Sequence, residues 1–308
     1  MFFAICTILA GCATAPASSL KVEDYNTENI TIRTSTIPNN DHWNKTTAHW
    51  SLGEMTPLIP TFDSKGMLIA SWTPSKNPNA PTFVITHGGG GISPMLIFMG
   101  DDLRSLTDAN ILILDSFWSR GRTSNKGGIG IQQFGKTLSS NARMFDLVAA
   151  GRWLATQGVN PNKTFAIGES QGGLGVLRAF TNDSAIAKLI KPYYAGGVAL
   201  YPSCDKQEPK VFVSHSIGPY HSKVLLITGG KDTSSPVSEC FDVTLRSVER
   251  WLHWEDATHA FNVDTHGPFK RPVDGVCRSA PGRNGIHQFC YNSRRTTQML
   301  AEIKSFVQ

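Results

Sequence analysis

Charge is scarce in this chain. Asp, Glu, Lys and Arg make up only 17% of its 308 residues, where soluble domains ordinarily carry about a quarter. The net charge of +5 is spread along the sequence, and the densest basic cluster is the pair Arg294-Arg295. A nucleic-acid surface needs a basic stripe or patch to neutralise phosphates, so no nucleic-acid partner is expected. Six cysteines are present, but no two have C-x-x-C spacing, which removes the usual basis for a zinc site. Beyond the N-terminus, no segment is long and apolar enough to cross a bilayer. Repeats and low-complexity tracts are absent, no metal or cofactor is implied, and nothing in the sequence reads out an oligomeric state.

The N-terminus, MFFAICTILAGCATAPASS, has a short apolar run from Phe2 to Leu9 that leads into Leu9-Ala10-Gly11-Cys12 and then small residues. It is too short for a spanning helix. It resembles a bacterial lipoprotein signal over 1–11, although no Lys or Arg precedes the run. Cleavage would leave Cys12 as the lipid-bearing first residue, with 12–28 as a polar tether and 29–308 as one domain. The expected location is the cell envelope, lipid-anchored and facing the periplasm, or secreted, with membrane contact only through the anchor. Without Cys6 and Cys12, four cysteines remain: Cys204, Cys240, Cys277 and Cys290. In an oxidising compartment an even number suggests two disulfides, with three pairings open.

Hydrophobic residues make up 40% of the chain, enough for one large core. NITIRTS (29–35) alternates like a half-buried strand, and GMLIASWTP (66–74) is a second strand stopped by Pro74. A different pattern follows. TFVIT from Thr82, NILILDS (110–116), KTFAIG (163–168), GGVALYP (196–202), KVLLITG (223–229) and RWLHW (250–254) are short apolar strands. Helical stretches separate them, near 94–106, at 141–156 with Phe145, Ala149, Trp153 and Leu154 at helical spacing, and at 171–180. A last helix from about Ser293 carries the stripe Met299, Ile303, Phe306 and Val307. Apolar strands alternating with amphipathic helices predict an α/β fold with a mostly parallel sheet covered on both faces, its ligands at the carboxyl ends of the strands.

At one such end stands Gly168-Glu169-Ser170-Gln171-Gly172, which fits G-x-S-x-G between a strand and a helix. The flanking glycines permit a sharp turn that exposes the Ser170 hydroxyl, and the helix start aims N–H groups and a positive dipole at a developing oxyanion. A serine hydroxyl needs a base, and the base needs an orienting carboxylate. Asp232 lies just beyond KVLLITGG, and His259 lies in DATHAF after RWLHW. The order Ser170, Asp232, His259 is that of α/β-hydrolase triads. Thr86-His87-Gly88-Gly89-Gly90-Gly91 follows an earlier strand and lacks the Gly-Lys-Ser/Thr ending of a phosphate loop. Its unobstructed backbone suits an oxyanion hole, assigned to the N–H of Gln171 with that of Gly88 or Gly89.

HGGGG, DSFWSRGR (115–122), GESQGG, YPSC, GGKDTSSPVSEC and THAFN together resemble the dienelactone hydrolase family of the α/β-hydrolase superfamily, over about residues 65 to 308. The resemblance implies an eight-stranded sheet and places nucleophile, acid and base on Ser170, Asp232 and His259. It also implies a Cys204–Cys240 disulfide, which leaves Cys277 with Cys290. The family's namesakes use a cysteine nucleophile where this chain has Ser170, so a serine hydrolase acting on small-molecule carboxylic esters is expected in place of dienelactone opening. A peptidase or other amide hydrolase with the same triad is the alternative, and a non-catalytic envelope binding protein a more distant one. Phe117 and Trp118, after a strand, are candidates for the substrate pocket, and the Gly-rich stretch 119–140 for a lid.

Overall fold

Strand β3 (Thr82–Thr86) is buried at every residue, and its side chains divide between two cores. Val84 packs with Leu112, Ala166 and Leu226 on one side, while Phe83 and Ile85 pack with Ile111, Phe165 and Ile167 on the other. Successive side chains of a strand point to opposite faces. A run that is apolar throughout is therefore what a doubly covered sheet demands. Each large aliphatic or aromatic side chain taken out of water this way contributes about 1.5–3 kcal/mol.

The computed structural model describes residues 55–59, 68–92, 94–116, 140–181, 187–202, 220–240, 248–263, 273–282 and 285–308. Its main sheet has eight strands, β1 (Met55–Ile59), β2 (Leu68–Thr73), β3, β4 (Asn110–Asp115), β5 (Thr164–Glu169), β6 (Gly196–Leu200), β7 (Lys223–Gly229) and β8 (Arg250–Trp254). They lie in the order β1-β2-β4-β3-β5-β6-β7-β8. Strand β2 is antiparallel to both β1 and β4, and every pair from β4 to β8 is parallel. This is the mostly parallel eight-stranded sheet expected from the sequence.

Helices α1 (Pro94–Thr107) and α5 (Ser293–Val307) cover the face of Phe83 and Ile85 with Leu96, Met99, Leu103, Met299, Ile303 and Phe306. Helices α2 (Ser140–Thr156) and α3 (Gln171–Phe180) cover the face of Val84 with Met144, Leu147, Trp153, Val176 and Phe180. In the stripe expected on α5, Val307 is only half-buried and Leu300 is the fourth buried member. A short helix α4 (Ala187–Ile190) completes the second layer through Ile190.

Two features were not expected. The edge strand β1 is one. The other is a separate hairpin of β9 (Cys277–Gly282) and β10 (Gly285–Cys290), in register from Gly285↔Gly282 to Cys290↔Cys277. Arg278, Ser279, Ile286 and Gln288 are exposed, so the hairpin lacks the apolar alternation that marks a half-buried strand. The signal, the tether and Cys12, the strand expected at 29–35, Phe117, Trp118, the stretch from 119 through 139, and Cys204 all lie outside the described residues. Among the described residues, no helix is long and apolar enough to cross a membrane.

Parallel pairing of β3, β5, β7 and β8 brings their carboxyl ends to one edge of the sheet. His87, Ser170, Asp232 and His259 all follow those ends in the sequence.

Candidate active site

Ser170 joins β5 directly to α3, and its backbone stands at φ 52°, ψ −115°. Such angles cost a non-glycine residue about 1–3 kcal/mol and persist only where the surroundings enforce them. The enforcement is visible. Ser170 N–H donates to Leu200 O of β6 at 2.9 Å, and the Ser170 carbonyl accepts the first α3 bond from Leu174 N–H at 3.0 Å. A Cβ on Gly172 would come within 2.6 Å of Thr86 O and 2.7 Å of His87 O. Only glycine there lets the helix start lie against the end of β3.

The Ser170 hydroxyl lies 2.9 Å from His259 Nε2, and His259 Nδ1 lies 2.7 Å from Asp232 Oδ2. The other oxygen of that carboxylate, Oδ1, accepts the N–H groups of Ser234 at 2.9 Å and Ser235 at 2.7 Å. With Oδ1 occupied, Oδ2 is aimed at the imidazole. A carboxylate accepts from Nδ1–H, so the lone pair of Nε2 faces the serine. Asp232 and His259 are buried, and Ser170 is half-buried. The structure thus brings together the three side chains singled out in the sequence.

The acid and base loops are tied to each other. Gly230 N–H donates to Trp254 O, and Lys231 N–H to Ala257 O, each at 2.9 Å. Ala260, just after the histidine, has φ 53°, a second strained non-glycine residue in the site. Asp256, three residues before His259, is held by the guanidinium groups of Arg295 and Arg294 at the start of α5. Those contacts, Arg295 first, lower its carboxyl pKa to about 2.

Behind the elbow lies a polar cluster. Asn262 Nδ2 donates to Glu169 Oε1 at 2.8 Å, while Tyr201 O–H donates to Asn262 Oδ1 at 2.6 Å. Burial pushes the Glu169 carboxyl up from its ordinary range, opposed by the hydrogen bond from Asn262. The Tyr201 ring packs edge-on against His259, with centroids 5.0 Å apart.

The hairpin β9–β10 is seated on the same loops. Thr233 Oγ1, beside the acid, pairs with His287 Nδ1 at 3.0 Å. Cys290 N–H donates to Thr258 Oγ1 at 2.9 Å, and the Phe289 ring stands 5.8 Å from that of His259. A Cys277–Cys290 disulfide closes the hairpin at a sequence separation of 13. This is one of the two expected bridges. For the other, Cys204 and the Cys240 side chain lie outside the described residues. A Cys277→Ser/Cys290→Ser protein should lose about 2–4 kcal/mol of stability. Thermal melts with and without reductant check this, and a wild-type melting temperature indifferent to reductant would contradict it.

The expected oxyanion-hole residues are close to the serine. A Cβ built on Gly88 would lie 3.2 Å from Ser170 Cβ and 3.9 Å from its Oγ, and one on Gly89 would lie 3.8 Å from Gln171 Oε1. Gln171 opens α3, where an N–H has no acceptor within the helix. Sequence reading did not single out Tyr201, Asn262, His287 or Phe289 individually. The motifs YPSC and THAFN contain the first two, but only the tertiary structure shows what they touch. Among the described residues, no group of three or more His, Cys, Asp or Glu side chains could hold a metal ion.

Neither a family model nor a curated protein sequence matches the chain. Among solved structures, a candidate dienelactone hydrolase from Klebsiella pneumoniae superposes with a TM-score of 0.58 at 15% identity, covering 83% of this chain and 99% of the other. The chain has the α/β-hydrolase fold. Two further solved structures have lower TM-scores. A dienelactone hydrolase from Anabaena variabilis gives a TM-score of 0.47 at 18% identity, covering 67% of this chain and 88% of its own. An acylaminoacyl peptidase from Pyrococcus horikoshii gives 0.49 at 13% identity, covering 72% and 40%. At these identities the likeness concerns the fold alone, and activity has to be argued from the site.

Proposed function

We propose that this chain is a serine hydrolase that cleaves carboxylic esters through an acyl-enzyme. The observation that carries the proposal is the chain of contacts from Ser170 Oγ to His259 Nε2 and from His259 Nδ1 to Asp232, built on a strained strand-to-helix turn. In the proposed cycle, His259 Nε2 takes the Ser170 proton as the serine oxygen attacks the ester carbonyl. Negative charge collects on the former carbonyl oxygen, where the N–H groups of Gln171 and of the Gly88-Gly89 segment meet it. The tetrahedral species collapses, His259 gives its proton to the departing alkoxide, and an acyl-serine remains. Water enters, surrenders a proton to the same imidazole and attacks the acyl group. Collapse then releases the acid and restores Ser170. Asp232 keeps the tautomer that leaves Nε2 free to accept and stabilises the imidazolium formed in each half-reaction. Every step is a proton or acyl transfer among Ser170, His259, the ester and water.

Purified protein should hydrolyse p-nitrophenyl esters of graded acyl length. Matched p-nitroanilides are the amide arm of the same experiment. Turnover of anilides with none of the esters would replace the ester reading with an amide one, and turnover of neither class would remove the hydrolase reading.

A further inference from the structure

Arg143 is the largest fully buried side chain among the described residues, with no exposed surface, and it lies directly under the glycine loop. Its Nη2 donates to Gly88 O at 3.2 Å and to Gln171 Oε1 at 3.4 Å, and its Nη1 donates to Thr86 Oγ1 at 3.4 Å and lies 3.2 Å from both His87 ring nitrogens. A buried charged group is expensive unless its environment uses it. Here the guanidinium fork reaches both segments from which the oxyanion donors would come, the glycine loop and the first residue of α3.

His87, also fully buried, completes the arrangement. Ser116 N–H donates to its Nε2 at 3.1 Å, so Nε2 is the acceptor and the ring proton sits on Nδ1. That Nδ1–H donates to Gly88 O at 2.7 Å. Gly91 N–H reaches the same oxygen at 3.2 Å. Three donors therefore fix the direction of one carbonyl.

A trans peptide directs its C=O and N–H to opposite sides. The Gly88 carbonyl points inward, at two buried side chains, so the N–H of Gly89 in the same peptide points away from them, on the side where Gly89 and Gly90 are exposed. The preceding peptide is reversed. His87 O lies against the elbow, 2.7 Å from where a Gly172 Cβ would stand, so the N–H of Gly88 is turned away from it. We propose that Arg143 and His87 are positioning residues that aim the Gly89 N–H, and not that of Gly88, at the oxyanion as the partner of Gln171 N–H. The inference rests on reading Ser170 as the nucleophile and chooses between the two glycines the sequence left open.

The test is a double-mutant cycle with Arg143→Met and Gly89→Pro, which deletes the N–H in question. Each protein is assayed on p-nitrophenyl esters and against an alkyl trifluoromethyl ketone, whose serine adduct carries an oxyanion. Each single variant should lower kcat by about 10²–10³ with KM changed by less than about threefold, and weaken the ketone by a similar factor. Arg143→Met should cost little more once Gly89 is proline, because both changes remove one donor. Losses that multiply in the double variant, or an Arg143→Met protein with wild-type kcat and ketone affinity, would overturn the inference. Should Arg143→Met fail to fold, Arg143→Lys keeps the charge but not the fork. Its kcat and ketone affinity should fall together, and unchanged values would count against the proposal. Wild-type protein that is active on esters while the variants are unimpaired leaves the hydrolase reading standing. Wild-type protein that is inert to esters and to a fluorophosphonate overturns both.

Discussion

A Ser170→Ala protein is expected to fold as the wild type does and to hydrolyse esters roughly four to six orders of magnitude more slowly, the range seen when a triad nucleophile is removed. The structural cost is small for identifiable reasons. Ser170 sits at the N-cap of α3, yet its side chain makes no capping hydrogen bond, so the usual penalty of about 1 kcal/mol for losing a serine cap does not apply. Alanine meets the same backbone strain as serine at φ 52°. The Oγ contact with His259 at 2.9 Å is lost, and a half-buried site lets water replace it. Chemically the loss is complete, because no acyl bond can form. Circular dichroism and a thermal melt would check the fold, stopped assays the turnover, and a fluorophosphonate probe the site of labelling. Labelling that persists in the alanine variant would assign the nucleophile elsewhere.

Central strands were readable because burial on both faces leaves no room for polar residues. TFVIT, NILILD and KVLLITG are nearly unbroken apolar runs, and each became a strand of the parallel sheet. Strand β1 and the hairpin were not readable. They lie at edges or outside the main sheet, where pairing is set by backbone hydrogen bonds and side chains can be polar. In β9 the sequence CRSAPG even contains Pro281, which a central strand would reject. The disulfide at the hairpin's open end, together with contacts to Thr233 and Thr258, supplies the order that apolar patterning does not.

The three residues of the proposed triad were readable for a different reason. Each follows a recognisable strand, and a parallel sheet places such positions on one edge. Context was decisive there. The supporting residues had no such signature. Arg143 sits in the first turn of α2 and His87 directly after β3, 56 residues apart, and only the fold brings them together. The same holds for Asn262 and Glu169, separated by 93 residues. Buried polar partners are fixed by tertiary packing, and neither periodicity nor propensity records them.

His259→Ala should abolish the acyl-enzyme burst and lower kcat/KM by about four orders of magnitude or more, whereas His253→Ala should leave kcat/KM within about threefold of wild type and lower stability by about 1 kcal/mol. The two histidines stand six positions apart in RWLHWEDATHAF, and the structure separates their environments. His253 is inside β8, paired across to Thr228 of β7. Its Nδ1 lies 2.9 Å from Thr228 Oγ1, a hydroxyl that also accepts Trp251 Nε1–H at 2.9 Å, and its Nε2 lies 3.4 Å from exposed Glu255. Those contacts secure an outer edge of the sheet. His259 leaves the strand through Glu255-Asp256-Ala257-Thr258, and the loop folds back because Gly229 has no Cβ, which would stand 2.4 Å from Ala257 O. Only that return carries an imidazole over the strand ends to Ser170, with Asp232 behind it, Tyr201 against its ring and Phe289 on its flank. Alanine at position 259 leaves the serine without a proton acceptor and Asp232 without its partner. Pre-steady-state release of p-nitrophenol distinguishes the two variants directly. A burst that survives His259→Ala and vanishes in His253→Ala would place the base inside β8 and refute this reading of the site.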